Sequence, residues 1–183
     1  MKAVLLSIQP KWCELIASGK KTVEVRKSKP KLQTPFKCYI YETQSRTETP
    51  FVDEEGHYIF KGRGQVIGEF VCGRISEYEC SSDGFGELAT TCGTCLTYDE
   101  ILNYCNGNEL YGWHIADLKI YDEPRELSEF YYPPEKYCEK ELCGLCPKYE
   151  VPSYEYGEVD FDCEWKRPIS RPPQSWMFVE EQR

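Results

Sequence analysis

The sequence lacks any long apolar run. The first one, Ala3 to Leu6, has only four residues, which is too few for the core of an export signal. No run approaches the roughly 20 apolar residues of a membrane-spanning helix. Internal repeats and low-complexity tracts are also absent. We therefore expect a soluble, cytoplasmic protein with no membrane partner.

An excess of positive charge is also lacking. The chain has 22 Lys and Arg against 31 Asp and Glu, a net charge of −9, which argues against a protein that coats long DNA. Residues 1–37 differ, with nine basic and two acidic residues; their net charge of +7 leaves −16 for the rest. This asymmetry favours a local basic surface that holds a few phosphates, or else uneven surface charge without a ligand.

The composition indicates one globular domain. With 183 residues, 40% of them hydrophobic and 14% aromatic, the chain is long enough for one core and rich enough in aromatic residues for a sheet. The alternating patterns predict strands, and one stretch with a capping box predicts a helix. The strands are expected at 3–8, 36–43, 65–72, 112–121 and 176–180, and the capped helix at 96–106.

The segment from Pro10 to Arg26 carries the most specific pattern. A helix is predicted from Pro10 to Ser18, with Gly19 as its left-handed stop. Thr22 to Arg26 then alternate as a strand, which places a carboxylate and a guanidinium on one face. From the alternation alone, this is a solvated edge strand with an ion pair that contributes about 0–1 kcal/mol.

The same segment resembles a known family. Gly19, Lys21, Glu24 and Arg26 match the G-x-K-x-x-E-x-R signature of the ASCH domain family, and the preceding residues 6–12 look like that family's opening strand, loop and helix. The resemblance implies an α+β fold: a PUA-like mixed β pseudo-barrel with flanking short helices and a Cys-rich insertion. It implies a single domain over 1–183, with insertions at about 44–64, 80–110 and 128–170.

The resemblance also implies a cleft that binds RNA, a nucleoside or a nucleotide. In such a cleft Lys and Arg pair with phosphate or a base edge, Glu accepts from an exocyclic amine, and aromatic rings stack on bases. The expected ligand-binding residues are Gln9, Trp12, Lys21, Glu24, Arg26, Trp113 and His114.

An enzyme is the alternative interpretation. Some members that resemble this chain hydrolyse N4-acetylcytidine with a Lys, a Thr and a Glu. Lys21 matches that lysine, Glu24 stands in place of the threonine, and Glu69 is the candidate for the catalytic carboxylate. Other relatives are linked to RNA cleavage, for which His114 could serve only beside Lys21. A protein-interaction or regulatory module is a further alternative.

Four cysteines form a possible metal site in the Cys-rich region. Four thiolates can hold one structural zinc and order a loop that has little apolar material of its own. The expected ligands are Cys138, Cys143, Cys146 and Cys163. Alternatively, Cys92 and Cys95 supply the second pair beside Cys143 and Cys146, or the eleven cysteines are free thiols, as is usual in a reducing compartment.

Overall fold

The computed structural model describes residues 2–44, 51–52, 58–59, 62–79, 81, 88, 93–133 and 167–182. The strands are β1 (Lys2–Ile8), β2 (Val23–Arg26), β3 (Phe36–Glu42), β4 (Phe51–Val52), β5 (Tyr58–Ile59), β6 (Val66–Tyr78), β7 (Leu110–Arg125) and β8 (Trp176–Glu180). The helices are α1 (Pro10–Ala17) and α2 (Tyr98–Cys105), and a 3-10 turn spans Leu127–Glu129. Among these residues no helix combines the length and apolarity needed to cross a membrane.

Six strands form one mixed sheet in the order β2-β7-β6-β3-β1-β8. β1 runs parallel to β3, and the other neighbours are antiparallel. β4 and β5 make a separate two-stranded sheet inside the 44–64 segment. The mixed sheet and the two helices confirm the α+β class. The single-domain interpretation of residues 1–183 stays a prediction.

Helix α1 begins and ends as its sequence predicts. Pro10 occupies its first turn, where a missing N–H costs nothing, and Cys13 and Ile16 are buried on its inner face. Gly19 follows with a φ of +75°, the left-handed conformation that ends many helices. The Gly19 N–H donates to the Ile16 carbonyl. The helix therefore delivers the chain to the signature strand through a sharp turn.

The strand predicted at 65–72 continues to Tyr78, because β6 pairs with β7 over nearly its whole length. The register shifts at Gly68, as the isolated glycine indicates. A Cβ at this position would lie 2.5 Å from the Lys119 carbonyl oxygen. Glycine is therefore needed for the close approach of the two strands. Such irregularities increase the coiling of a strand pair.

The two faces of β3 carry different clusters of buried side chains. Cys38 and Ile40 pack with α1 and with residues of β1, β6 and β7 in the first core. Tyr39 and Tyr41 point to the other face and pack with Phe130 in a second core. The alternation predicted for this strand is confirmed. A third cluster lies between β2, the end of β6 and α2.

Helix α2 has the predicted capping box. The Glu100 N–H donates to Thr97 Oγ1, and the Thr97 N–H donates to a Glu100 carboxylate oxygen. Leu96 and Ile101 pack in the third cluster. The helix ends in a left-handed turn, because Asn106 and the following Gly107 both have a positive φ. Asn tolerates this conformation better than most residues.

Tyr39 makes the stability of the second core sensitive to alkaline pH. Burial raises the pKa of Tyr39 from 10.0 to about 12, while in the unfolded chain the phenol ionises near pH 10. Between these values the unfolded state loses a proton that the folded state keeps, so stability falls as the pH rises. We expect wild type to lose about 2 kcal/mol relative to Tyr39→Phe between pH 10 and pH 12. Denaturant unfolding across this range measures the difference; parallel profiles would contradict it.

Candidate functional site

The signature strand is buried rather than solvated. All four residues of β2 are buried, although β2 stands at one end of the strand order. The loop before α2 covers it: the Gly93 carbonyl accepts from the N–H groups of Thr22 and Val23, at 2.8 and 3.0 Å. The interpretation of a solvated edge strand is therefore wrong. The alternation of β2 is as predicted, but the loop at Gly93 comes to lie beside β2 only when the chain folds.

Three charged side chains of the signature form a buried network. Lys21 is 2% exposed, Glu24 6% and Arg26 7%. One carboxylate oxygen of Glu24 lies 3.6 Å from Lys21 Nζ, and the other lies 3.0 Å from Arg26 Nη2. Lys21 Nζ also donates to the Thr94 carbonyl at 2.6 Å. One carboxylate thus compensates two cations, which leaves one net positive charge.

Arg26 connects the two ends of the sheet. Its Nη2 group donates to the Ser7 carbonyl of β1 at 2.8 Å, and its Nη1 group lies 3.4 Å from both the carbonyl and the hydroxyl oxygen of Ser175. Ser175 directly precedes β8 and accepts a hydrogen bond from the Ser7 N–H. Arg26 belongs to β2, the first strand in the order. Through its forked guanidinium it reaches β1 and the residue before β8, which lie at the other end of the order.

Burial changes the acid–base chemistry of Lys21. Removal from water lowers its pKa, and the nearby Glu24 carboxylate only partly opposes that shift. The ammonium group also lies 5.0 Å from the centre of the Trp12 ring. Lys21 therefore has a carboxylate, a carbonyl oxygen and an aromatic face around it. This environment holds the side chain in one position.

Trp113 is brought to the same face as the network. It lies opposite Glu24 in the pairing of β7 with β2, and it is fully buried. Its ring packs edge-on against Phe36 at 5.7 Å and lies 6.1 Å from the Trp176 ring. Trp113 thus lies beside the signature with its ring enclosed by the first core, and its ligand-binding role stays a prediction.

His114 and Glu69 are not brought together with Lys21. His114 pairs with Val23 across β7 and β2, so it points away from the face that carries Glu24 and Trp113. Glu69 lies opposite Tyr39 on β3 and accepts a hydrogen bond from Tyr121 at 2.7 Å, on the side of the second core. Strand alternation thus separates both residues from the network.

The beginning of α1 supplies the accessible part of the site. Gln9 precedes the first helical turn and is exposed, and Trp12 is half-buried. Lys11 Nζ lies 4.5 Å from the centre of the Trp12 ring. These residues lie where the network meets the surface, since Lys21 also contacts Trp12.

Sequence reasoning missed Thr94 and Tyr104, both from the 80–110 segment that it treated as a structural insertion. Thr94 contributes only its carbonyl oxygen, for which no side-chain pattern could give a signal. The pKa of Tyr104 is raised, mainly by burial, and the charges of Arg26 and Glu24 also act on it. Tyr104 lies on the exposed face of α2, and an aromatic residue in such a position was the only signal in the sequence for a role at the site.

Three lysine–aromatic pairs surround β2. Besides the pair at Trp12, Lys27 Nζ lies 4.9 Å from the Tyr104 ring centre, and Lys29 Nζ lies 5.3 Å from that of Tyr111. Tyr111 is the strand partner of Arg26. These ring contacts are cation–π interactions. We call the six residues the basic–aromatic rim: Lys11, Trp12, Lys27, Lys29, Tyr104 and Tyr111.

The basic surface is smaller than the charge count of residues 1–37 suggests. Lys21 and Arg26 are buried, and Lys37 lies near Glu69 beside the second core, with a separation of 3.5 Å. Lys29 pairs with Glu77, and Lys11 with Glu100 at 3.2 Å. Lys27 has no carboxylate partner within the part of the chain that the structure describes.

The proposed zinc ligands lie outside the described residues, as does Cys92. These positions are Cys138, Cys143, Cys146 and Cys163. In the described ranges no three His, Cys, Asp or Glu side chains are grouped to hold a metal ion. The structural zinc stays a prediction.

The fold and the signature define a sheet-rich α+β domain of a known kind. The family model of the ASCH domain matches residues 6–132. The chain belongs to the ASCH domain family, whose members are generally thought to bind RNA.

Solved structures show the same fold. The structure of ASCH from Zymomonas mobilis has a TM-score of 0.55 and 18% identity, and the match covers 98% of this chain and 88% of that one. A serine-to-alanine mutant of that protein gives a TM-score of 0.56 and 17% identity, with 98% and 89% covered. No protein with a curated description matches the sequence.

Proposed function

We propose that this chain binds single-stranded RNA or a nucleotide across the basic–aromatic rim. The observation that carries the proposal is the set of three lysine ammonium groups, each over an aromatic ring, around the signature strand. Bases stack on aromatic faces, and phosphates pair with lysine, so the same groups suit an unpaired nucleic acid strand. Membership of the ASCH family supports the same ligand class.

The existing surface ion pairs do not oppose this binding strongly. Lys29 with Glu77 and Lys11 with Glu100 are partly exposed pairs, and such pairs contribute about 0–1 kcal/mol. A phosphate can therefore replace a glutamate at little cost. Lys27 needs no such exchange with any of the described carboxylates. The rest of the chain is acidic and repels a longer polyanion, so we expect only a short segment of RNA to be bound.

The buried network has a positioning role in this proposal. Its charged groups pair with one another and with backbone carbonyls, although Arg26 Nε is buried without a hydrogen-bond partner among the described residues. Buried ion pairs contribute little net stability against apolar alternatives. Their geometry instead holds β2 against β1 and the loop at Thr94. Lys27 and Lys29 follow β2 directly, so the network determines where these two lysines stand.

The closure of the sheet supports the finer fold interpretation. We infer a PUA-like pseudo-barrel from the contact of Arg26 on β2 with Ser7 on β1 and with Ser175 ahead of β8. These strands stand at opposite ends of the strand order. A side chain can reach across only if the sheet curves back on itself.

Hydrolysis of a modified nucleoside such as N4-acetylcytidine, or of RNA, is the second candidate. The observation that favours it is the lowered pKa of Lys21, which is typical of a lysine that acts as a base. Against it, Lys21 Nζ already donates to the Thr94 carbonyl, and neither Glu69 nor His114 shares its face. Incubation of the protein with N4-acetylcytidine and short RNAs, with Lys21→Met as control, decides the matter; absence of turnover would remove this candidate.

A protein-interaction module is the third candidate. Tyr98 and Leu102 are 41% and 49% exposed and stand one helical turn apart on α2, which gives a small apolar surface. This candidate would be favoured if the chain bound no RNA but bound a partner protein through the surface of Tyr98 and Leu102. The RNA experiment below therefore separates the first and third candidates.

We expect Tyr104→Ala to weaken binding of a short single-stranded RNA by about 5- to 100-fold, because stacking contributes about 1–3 kcal/mol per base. Lys27→Ala should weaken binding to a similar extent for RNAs of different sequence. It should also reduce the slope of log affinity against log salt concentration by about one. Lys119→Ala is the matched control, since Lys119 is exposed and also lies over a tyrosine ring, Tyr121, beside the second core. Fluorescence anisotropy over a salt series measures these effects.

Two results would overturn the proposal. The first is no binding by the wild-type chain at low salt, where phosphate contacts are strongest. The second is an equal loss of affinity in Tyr104→Ala and Lys119→Ala, which would show that the rim has no particular role. Circular dichroism of each variant establishes that it remains folded.

A further inference from the structure

A polar cluster lies on the face of β6 and β7 that points away from the signature network. Arg74 on β6 stands directly opposite His114 on β7, and Ser76 follows two residues later on the same face. Ser76 Oγ lies 2.9 Å from His114 Nε2. Arg74 Nη2 lies 3.2 and 3.4 Å from the two ring nitrogens of His114. Three polar side chains from two paired strands therefore meet at one point.

The groups of this cluster are donors towards an anion. A guanidinium donates only, a hydroxyl can donate, and an imidazole donates from one or both nitrogens. Arg74 Nη2 lies at hydrogen-bond distance from both ring nitrogens, and the other N–H groups of the guanidinium have no partner within the described residues. Those groups are available for an oxyanion.

The positive charge of the cluster is not compensated within the described residues. No carboxylate there forms an ion pair with Arg74 or His114. Glu77 follows Ser76 on β6, so its side chain points to the opposite face of the sheet, where it pairs with Lys29. Burial and the Arg74 charge both lower the pKa of His114, as expected where a positive potential lacks an anion.

The groups that pack around His114 leave the cluster electrostatically simple. From β2 the neighbour is the apolar Val23. From β6 the charged neighbour is Arg74. Cys72 packs in the first core and meets the His114 backbone; burial raises the pKa of its thiol to about 11, so it is neutral. Arg74 is exposed, and Ser76 and His114 are half-buried. A ligand from solvent can thus reach all three.

We propose that Arg74, Ser76 and His114 form a binding site for a phosphate-type oxyanion. The ligand is a phosphate monoester, free or on a nucleotide, or a phosphodiester of an RNA strand; the shared chemistry is the tetrahedral anionic group. This site lies on the other face of β7 from Trp113 and does not rest on the proposed RNA binding at the rim. Binding adds a negative charge beside His114 and so favours its protonated form.

The experiment uses the whole chain and NMR of its two histidines, with the His114 signal assigned by its absence in His114→Gln. Titration with inorganic phosphate should move the pKa of His114 upward, and affinity should be several-fold higher at pH 6 than at pH 8. Arg74→Gln should reduce phosphate affinity by at least about tenfold. Arg63→Gln, which removes an exposed arginine near Glu42, should leave it unchanged.

Further arms identify the source of the anion. Adenosine monophosphate, adenosine and a short RNA are compared in wild type and Arg74→Gln. Weakened monophosphate binding with unchanged RNA binding assigns the site to a monoester; weakened binding of both assigns it to the RNA backbone as well. Equal binding of adenosine and its monophosphate, or no response of His114 to phosphate, overturns the proposal. Tyr104→Ala should leave the phosphate response intact, so failure of the rim proposal is distinguished from failure of this one.

Discussion

Glu24→Gln is expected to lower the free energy of unfolding by about 3–5 kcal/mol, the cost of removing one partner from a buried ion pair. The glutamine preserves the size of the side chain but removes the one carboxylate that, among the described residues, contacts both Lys21 and Arg26. Two cations then remain buried without compensation. Urea unfolding monitored by circular dichroism measures the change.

Glu77→Gln is the matched control. Glu77 also pairs with a lysine, Lys29, but its side chain is 61% exposed, so the substitution should cost less than about 1 kcal/mol. A similar loss in both variants would show that the network is as well solvated as the surface pair, and its assigned positioning role would fail. A large loss in Glu24→Gln alone supports the network as described.

We expect Gly93→Ala to destabilise the chain by about 2–5 kcal/mol. Gly93 has a φ of +95°, and an L-residue in a left-handed conformation costs about 1–2 kcal/mol. The added methyl group would also overlap Thr22 Oγ1, and overpacking costs a further 1–3 kcal/mol or so. Displacement of this loop disturbs the hydrogen bonds to Thr22 and Val23 and moves the Thr94 carbonyl away from Lys21.

Gly107→Ala separates the two causes. Gly107 also has a positive φ, +79°, but a Cβ there meets nothing within 4 Å. Its substitution should therefore show the backbone cost alone, about 1–2 kcal/mol. The double variant Thr22→Ala/Gly93→Ala should recover part of the loss. Equal destabilisation by both glycine substitutions, without recovery, would contradict the close approach at Thr22.

Local patterns predicted the elements around the site well. Pro10 and Gly19 marked the ends of α1, and Thr97 with Glu100 marked the start of α2, because caps and stops depend on nearby backbone groups. Alternation placed Glu24 and Arg26 on one face of β2. These features need only residues that are close along the chain.

Contacts between distant segments were not predictable in this way. Arg26 donates to a carbonyl of Ser7 and lies near Ser175, which are 19 and 149 positions away. Lys21 finds the carbonyl of Thr94, a group that every residue type possesses. Glu69 looked like a partner of Lys21, but the pairing of β6 with β3 turns it to the second core. Sheet register decides such facings, since a shift of one residue reverses them.

The sequence alone determined that the chain is an ASCH-like α+β domain, where its signature lies and which residues alternate on β2, because periodicity, caps and motif spacing are local properties. Only the tertiary structure decided that the signature is buried, that the loop at Gly93 and Thr94 covers it, and that basic and aromatic side chains surround it. The physical reason is that burial depends on which distant segments pack against a strand. A charge that faces water in an isolated strand becomes part of a compensated network once those segments enclose it.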